Sequence, residues 1–116
     1  MLPVLAVGIG GCVGNGFRDE APFYTRMADS DVEIAVSTMQ IALMNGREGE
    51  SFAWTNDVTP MRGAFTPLRT FLTSQGYYCR DYREDLWFED AHQSFTNMAC
   101  LDDGGRWVWA EDRDAQ

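Results

Sequence analysis

Three cysteines are the residues of this 116-residue chain whose chemistry is easiest to interpret. Cys79 and Cys100 lie 21 residues apart (100 − 79), on segments with the pattern of neighbouring strands. A disulfide that closes such a loop removes unfolded-state entropy worth roughly 3 kcal/mol, and small domains in oxidising compartments gain most from it. Metal binding is the competing use, but the chain has one His and no Cys-x-x-Cys motif. We therefore predict a Cys79–Cys100 disulfide and neither metal nor other cofactor.

Cys12 has a separate explanation, because it ends an apolar N-terminal run. Residues 1–11 are apolar and finish in small residues, so that Ile9–Cys12 looks like a lipobox, where bacterial lipoproteins are cleaved and lipidated on the new N-terminal Cys. Lipid chains anchor a protein by about 0.8 kcal/mol per buried methylene. The usual basic start is missing, and the alternative is a buried strand with a structural Cys, which three glycines disfavour. We predict a signal segment over 1–11 and lipidation of Cys12.

The acidic residues and the single histidine could in principle support catalysis. Acidic pairs occur at Asp81/Glu84/Asp85, Glu89/Asp90 and Asp102/Asp103. In probable turns such side chains are normally solvated, whereas a glycosidase needs two carboxylates that converge across a cleft. His92 between Asp90 and Ser94 suggests a triad, but the three residues are too local in sequence, so we expect a surface turn histidine. We predict that the chain is not an enzyme, that it takes no small-molecule substrate, and that Arg80 pairs with an acidic neighbour across the sheet.

Composition limits the remaining functions. The net charge is −9 and the pI near 4.3, which argues against nucleic-acid binding because that needs clustered Lys and Arg. No run of 18 apolar residues is present. The length suits one domain with a single small core.

The elements that must hold the two C-terminal cysteines form a small α+β domain over residues 30–110. One helix is predicted from Ser30 to Gly46, with Ser30 and Glu33 as a capping box and Gly46 as a left-handed stop. Its apolar stripe is Val32, Val36, Met39 and Leu43, broadened by Ile34, Ile41 and Met44. Alternating patterns then predict four or five antiparallel strands and a turn at Asp102–Gly105. Residues 61–73 fit either a strand or a helix that starts at Pro67, and their threonines favour extended structure. Residues 111–116 are a polar tail.

Between the anchor and the domain, residues 12–29 are predicted to form a tether, because Gly and Pro interrupt regular structure there. Three aromatic residues lie in the tether: Phe17, Phe23 and Tyr24. They either contact a partner or, for the latter two, pack back on the domain.

The order of several short motifs resembles a known family. The motifs are Trp54-Thr55-Asn56, Gly63–Pro67, Gly76–Arg80, Ala99-Cys100, Asp103-Gly104 and Trp107. Their order and spacing, over about residues 31–110, resemble the C-terminal domain of the 17-kDa surface-antigen lipoproteins of Gram-negative bacteria. The resemblance implies a small α+β domain and an outer-membrane lipoprotein facing the periplasm. Two departures are the lack of a glycine-zipper segment and Leu101 where the family has Arg.

These observations predict a non-catalytic envelope lipoprotein, held at a membrane by its N-terminal lipid and facing the periplasm, with a structural or protein-interaction role. Two alternatives remain open. One is an accessory extrinsic subunit of a membrane protein complex, which would use the tether aromatics. The other is a periplasmic inhibitor of a lysozyme or protease, which would use an exposed loop at Asp57–Arg62 or Asp102–Arg106.

Overall fold

The computed structural model describes residues 21–110, and the predicted signal segment, most of the tether and the polar tail lie outside this range. A short 3-10 helix (Phe23–Arg26) is followed by one α-helix and five strands. These are α1 (Asp29–Asn45), β1 (Phe52–Thr55), β2 (Met61–Leu72), β3 (Tyr78–Phe88), β4 (Ala91–Leu101) and β5 (Trp107–Trp109). One helix on a five-stranded antiparallel sheet confirms the predicted α+β class.

The sheet is a meander in the order β1-β2-β3-β4-β5, and every neighbouring pair is antiparallel. Residues 61–72 are extended as predicted, and a register shift between Pro67 and Thr70 accommodates the proline. The turn before β5 also forms where expected: the Asp102 carboxylate accepts hydrogen bonds from the backbone N–H groups of Gly104 and Arg106. Gly105 is the residue with positive φ in that turn.

The predicted disulfide is present between β3 and β4. Cys79 and Cys100 are directly opposite each other, with Cα atoms 3.9 Å apart. Both residues are buried. Residues at opposite positions of an antiparallel pair share one face of the sheet, so the bond joins the two strands on the face away from α1.

The start of α1 differs from the prediction. The helix begins at Asp29 with Ala28 as N-cap, so Ser30 does not cap it. Instead Asp31, almost completely buried, accepts a hydrogen bond from the Ala28 N–H at 2.9 Å. Its other oxygen accepts bonds from Asn56 and Thr59 in the loop after β1. Asp31 therefore ties the helix start to the sheet, which a local pattern does not reveal.

The end of α1 corrects two further predictions. Gly46 has φ −79° and ψ 144°, so it is extended rather than left-handed. A Cβ there would lie 2.7 Å from the Phe52 ring and 2.5 Å from the Ala42 carbonyl oxygen, so close packing requires the glycine. Among residues 21–110, Arg80 pairs with no acidic side chain. Its guanidinium is buried and donates to the carbonyls of Leu43 (2.6 Å) and Gly46 (2.9 Å), which are orphan acceptors at the helix C-terminus.

The buried face of α1 is rotated relative to the predicted stripe. Met39 and Leu43 are buried as expected, but the helix approaches the sheet through Ala35 and Ala42. Four residues of the predicted stripe are instead exposed by two fifths or more, namely Val32, Val36, Ile41 and Met44. The rotation follows from size, because two alanines let the helix backbone lie close to the sheet. It leaves a row of apolar side chains at the edge of the helix–sheet contact.

The outer edge of β5 is covered by α1. The Gln40 side-chain amide donates to the Trp107 carbonyl at 2.6 Å and accepts from the Trp107 N–H at 2.9 Å. The amide thus makes the two bonds that a neighbouring strand would make. Among the helices of residues 21–110, none combines the length and hydropathy needed to cross a bilayer.

Candidate functional site

A groove of about 730 Å³ opens between α1, the segment 22–27 and the outer part of the sheet. It exists because α1 packs over β1 and β2 and touches β5, while β3 and β4 are left beside it. The helix wall consists of Val32, Ala35, Val36 and Met39. Phe65, Tyr82, Glu84, Phe95 and Trp109 contribute from the sheet. The lining is mainly apolar and remains open to solvent, with Val32 and Val36 about 40% exposed.

The three tether aromatics have different positions relative to this groove. Tyr24 stands at its mouth, 55% exposed, with its ring 5.8 Å from that of Phe95. Phe23 packs back on the domain, 1% exposed, against Phe88. Phe17 lies outside the described residues, as does Cys12. Of the residues predicted to contact a partner, Tyr24 is therefore the one that the structure presents at an open apolar surface.

The segment that carries Tyr24 is fixed by one side chain of β4. Gln93 accepts a hydrogen bond from the Phe23 N–H at 2.7 Å and donates to the Ala21 carbonyl at 3.3 Å. Arg26 lies over the rings of Phe23 and Phe88. The last part of the predicted tether, from residue 21 onward, is thus part of the folded domain and forms one wall of the groove.

Glu84 is the ionisable group at the floor of the groove. It lies on the helix-facing side of β3, opposite Phe65 on β2 and Phe95 on β4. Burial, and to a smaller extent the negative charge of Asp85, raise the pKa of Glu84 to about 7. Within residues 21–110 no salt bridge or side-chain hydrogen bond satisfies its carboxylate. The prediction that this residue is a solvated turn carboxylate is wrong, because it lies within a strand under apolar side chains.

The opposite face of the sheet carries a polar cluster around Asp85. This carboxylate contacts His92 Nε2 at 2.8 Å and Arg83 Nε at 3.1 Å, and Ser94 lies beside it. Burial alone would raise the pKa of Asp85, but these three partners outweigh it and hold that pKa below its usual value. Asp85 is buried in β3, so its expected placement in a solvated turn is also wrong.

His92 and Ser94 do not form a nucleophile–base pair. His92 Nε2 contacts Asp85, and among residues 21–110 no hydrogen bond joins this imidazole to the Ser94 hydroxyl, as a nucleophile and its base would require. The His92 ring stacks on Trp87, and Arg62 covers the far side of that indole at 4.5 Å. The cluster is a cross-strand ladder that stabilises the exposed face of the sheet. In the part of the chain that the structure describes, no group of three or more His, Cys, Asp or Glu side chains is arranged to hold a metal ion.

Comparison with known proteins finds the antigens that the motifs resemble. A 17 kDa surface antigen of Rickettsia conorii is 31% identical over 81 residues, which are 70% of this chain and 51% of the relative. The corresponding antigens of Rickettsia felis and Rickettsia bellii are 32% and 30% identical over the same length. Over these residues the chain is similar in sequence to the 17 kDa surface antigens. It spans about half the length of the curated relatives it matches. No family model matches it, and no solved structure does.

Two of the motif residues have a physical role in the structure. Arg80, next to the disulfide, caps the helix C-terminus. Gly63 lies under the Trp54 indole, where a Cβ would come within 2.5 Å of Nε1. The sequence did not predict three residues of this region as site residues, because each contacts a segment that is distant in sequence. They are Glu84, Gln93 and Gln40. The one available signal was the place of Glu84 on the inward side of a strand, in phase with Tyr82 and Leu86.

Proposed function

We propose that this chain is a non-catalytic envelope lipoprotein with a protein-interaction or structural role at the periplasmic face of a membrane. Lipid on Cys12 would anchor it, the outer membrane being the expected site. The observation that carries the interaction role is the open apolar groove with Tyr24 at its mouth. Open grooves with a mainly apolar lining are common at the binding sites of proteins.

Two further observations support the compartment. The relatives are named surface antigens, which fits an envelope location. The chain also carries a buried disulfide, a bond that persists in oxidising compartments such as the periplasm. An accessory extrinsic subunit of a membrane protein complex is the form of this role that would use Tyr24. Inhibition of a lysozyme or protease stays an alternative that would use the loops instead.

Site-specific photo-crosslinking in intact cells tests the interaction role. A photoreactive phenylalanine analogue replaces Tyr24 in one variant and Tyr78 in the other, a matched control because Tyr78 is 57% exposed and does not line the groove. We expect a discrete crosslinked envelope protein from position 24 and none from position 78. Equal patterns from the two positions, or no product from either, would reject an interaction through this surface.

Anchoring has its own test. Intact-mass analysis of the protein from a membrane fraction should show loss of residues 1–11 and added acyl chains on Cys12. A chain that begins at an unmodified Met1 would reject the lipid anchor and leave the crosslinking result to be judged separately.

A further inference from the structure

β4 is the strand that the sheet leaves incompletely paired. It runs over 11 residues, Ala91–Leu101, but β5 pairs only with Ala99, Cys100 and Leu101. Beyond that point, no other strand of the described chain adjoins the outer side of residues 91–98. A strand edge of this kind presents free N–H and C=O groups that another backbone can pair with.

The exposed edge is bounded on both sides. Toward the start of β4, Gln93 fixes the segment that carries Tyr24. Toward its end, β5 begins to pair and Gln40 covers the outer edge of β5. The open stretch is thus about residues 94–98, long enough for a short extended segment of another chain and too confined for a second sheet.

The groove lies along this same stretch. Phe95, Thr96 and Asn97 line it. Two aromatic side chains that are about half exposed also line it, Tyr24, whose ring packs on Phe95, and Trp109 on β5. A backbone paired with β4 would therefore direct every second side chain into the groove, since side chains alternate across a strand. Hydrogen bonds to the edge and apolar pockets for alternate side chains are how added strands are recognised.

Charge selects among the segments that could fit. Glu84 is the acidic group at the groove floor, one strand in from the edge and opposite Phe95. The helix wall brings only Val32, Ala35, Val36 and Met39, and the segment 22–27 brings Tyr24 as its one titratable lining residue. Asp85, the adjacent charge, faces the other side, where His92 and Arg83 hold it. A cation entering the groove would therefore meet one carboxylate without a competing partner among residues 21–110.

We propose that the groove and the open edge of β4 bind an extended segment of a partner protein with the pattern apolar-x-Lys-x-apolar, whose Lys pairs with Glu84. The inference rests on the proposed interaction role and names the chemistry of the partner. An added strand lies two strand spacings from β3, about 10 Å, which extended Lys and Glu side chains bridge together. A lipid chain would leave the edge of β4 unpaired, and a second copy of this chain would bring a second Glu84 instead of a cation.

Peptide binding to the full-length protein, followed by two-dimensional amide NMR, tests the proposal. The probe is the acetylated and amidated peptide Thr-Leu-Thr-Lys-Thr-Leu-Thr, and the matched probe has Gln in place of Lys. We expect shifts at residues 94–98 and about ten-fold tighter binding of the Lys peptide. E84Q should abolish that preference, whereas E33Q, on an exposed position of α1, should keep it.

Two further measurements test the strand pairing and the charge of Glu84 separately. Peptides N-methylated at odd or at even positions should differ, because only one set of N–H groups faces β4 in an added strand. Binding of the Lys peptide should also strengthen by up to ten-fold between pH 6 and pH 8 as Glu84 ionises around its pKa of about 7, and E84Q should not respond.

Several outcomes would overturn the inference. These are equal affinity for the Lys and Gln peptides, equal binding of both N-methylated peptides, and shifts confined to the Arg62–Trp87 face. Shifts of residues 94–98 with laurate but not with peptide would assign the groove to an acyl chain, and shifts that grow with protein concentration alone would assign it to a second copy. None of these would disturb a position-24 crosslink in cells, so the failure of the inference is distinguishable from failure of the proposed function.

Discussion

Removing the Arg80 guanidinium tests whether the Cys-Arg motif is a structural device. In the structure this side chain reaches from β3 to the C-terminus of α1 and donates to two carbonyls, those of Leu43 and Gly46, at 2.6 and 2.9 Å. R80M keeps the length of the side chain and removes both bonds. The two carbonyls then lose their donors, and the negative end of the helix dipole loses a cation.

The expected loss follows from these contacts. Hydrogen bonds to charged groups contribute about 1.5–3 kcal/mol each. Against this, the guanidinium is buried and its Nε has no hydrogen-bond partner among residues 21–110, so burying it costs free energy that R80M recovers. The free energy of unfolding should therefore fall by about 3 kcal/mol, the lower end of the sum. R80K keeps the charge but cannot serve two carbonyls at once, so we expect about half that loss.

Equilibrium urea unfolding of the full-length, disulfide-bonded protein, followed by tryptophan fluorescence, measures these differences. The control is R69M, because Arg69 is two-thirds exposed in a surface ion pair with Asp81 and should contribute less than about 1 kcal/mol. The reasoning is refuted if R80M is no less stable than R69M. If R80K is as stable as the wild type, the positive charge stabilises the fold and the bonds to two carbonyls do not.

Three other predictions use the same measurement. C79S should lower the free energy of unfolding by about 3 kcal/mol, and native thiol labelling should miss both Cys79 and Cys100; labelling of either would argue against the bond. The raised pKa of Glu84 means that the folded state retains a proton which the unfolded state has lost, so stability should fall as pH rises from 4.5 toward 7. E84Q should remove this part of the pH dependence of stability. An E84Q protein with the same pH dependence as the wild type would contradict the prediction. D31A should lower the free energy of unfolding by more than about 2 kcal/mol, because the Ala28 N–H and the Asn56 and Thr59 side chains lose their acceptor together. The control is S30A, and an equal loss of stability in the two variants would contradict this role of Asp31.

The strand order and the disulfide could be read from the sequence because both follow local rules. Alternation of apolar residues defines each strand, and the Asp102–Gly105 turn fixes the last hairpin. With neighbouring strands paired in order, Cys79 and Cys100 fall opposite each other. Residues 61–72 have an apolar spacing that also suits a helix, but they form a strand, as their threonines favour.

The rest could not be predicted because it depends on contacts between distant segments. The buried face of α1 was set by Ala35 and Ala42, which count little in a hydrophobic pattern but allow close approach. Arg80, Asp31 and Glu84 look like ordinary surface charges in sequence. Their roles became visible only when the helix ends and the groove were located. The groove itself follows from the same rotation of α1 that left Val32 and Val36 exposed.

The Gln40 amide at Trp107 limits how the sheet can extend beyond β5. A sheet with an unpaired edge strand can extend by pairing with the same strand of an identical molecule, and a lipid anchor would hold such edges at high local concentration. Here a side chain already completes the hydrogen bonding of Trp107, so a neighbouring molecule must displace it before the sheet can extend from that end. Dense packing in the plane of a membrane thus need not lead to polymerisation through the β5 margin.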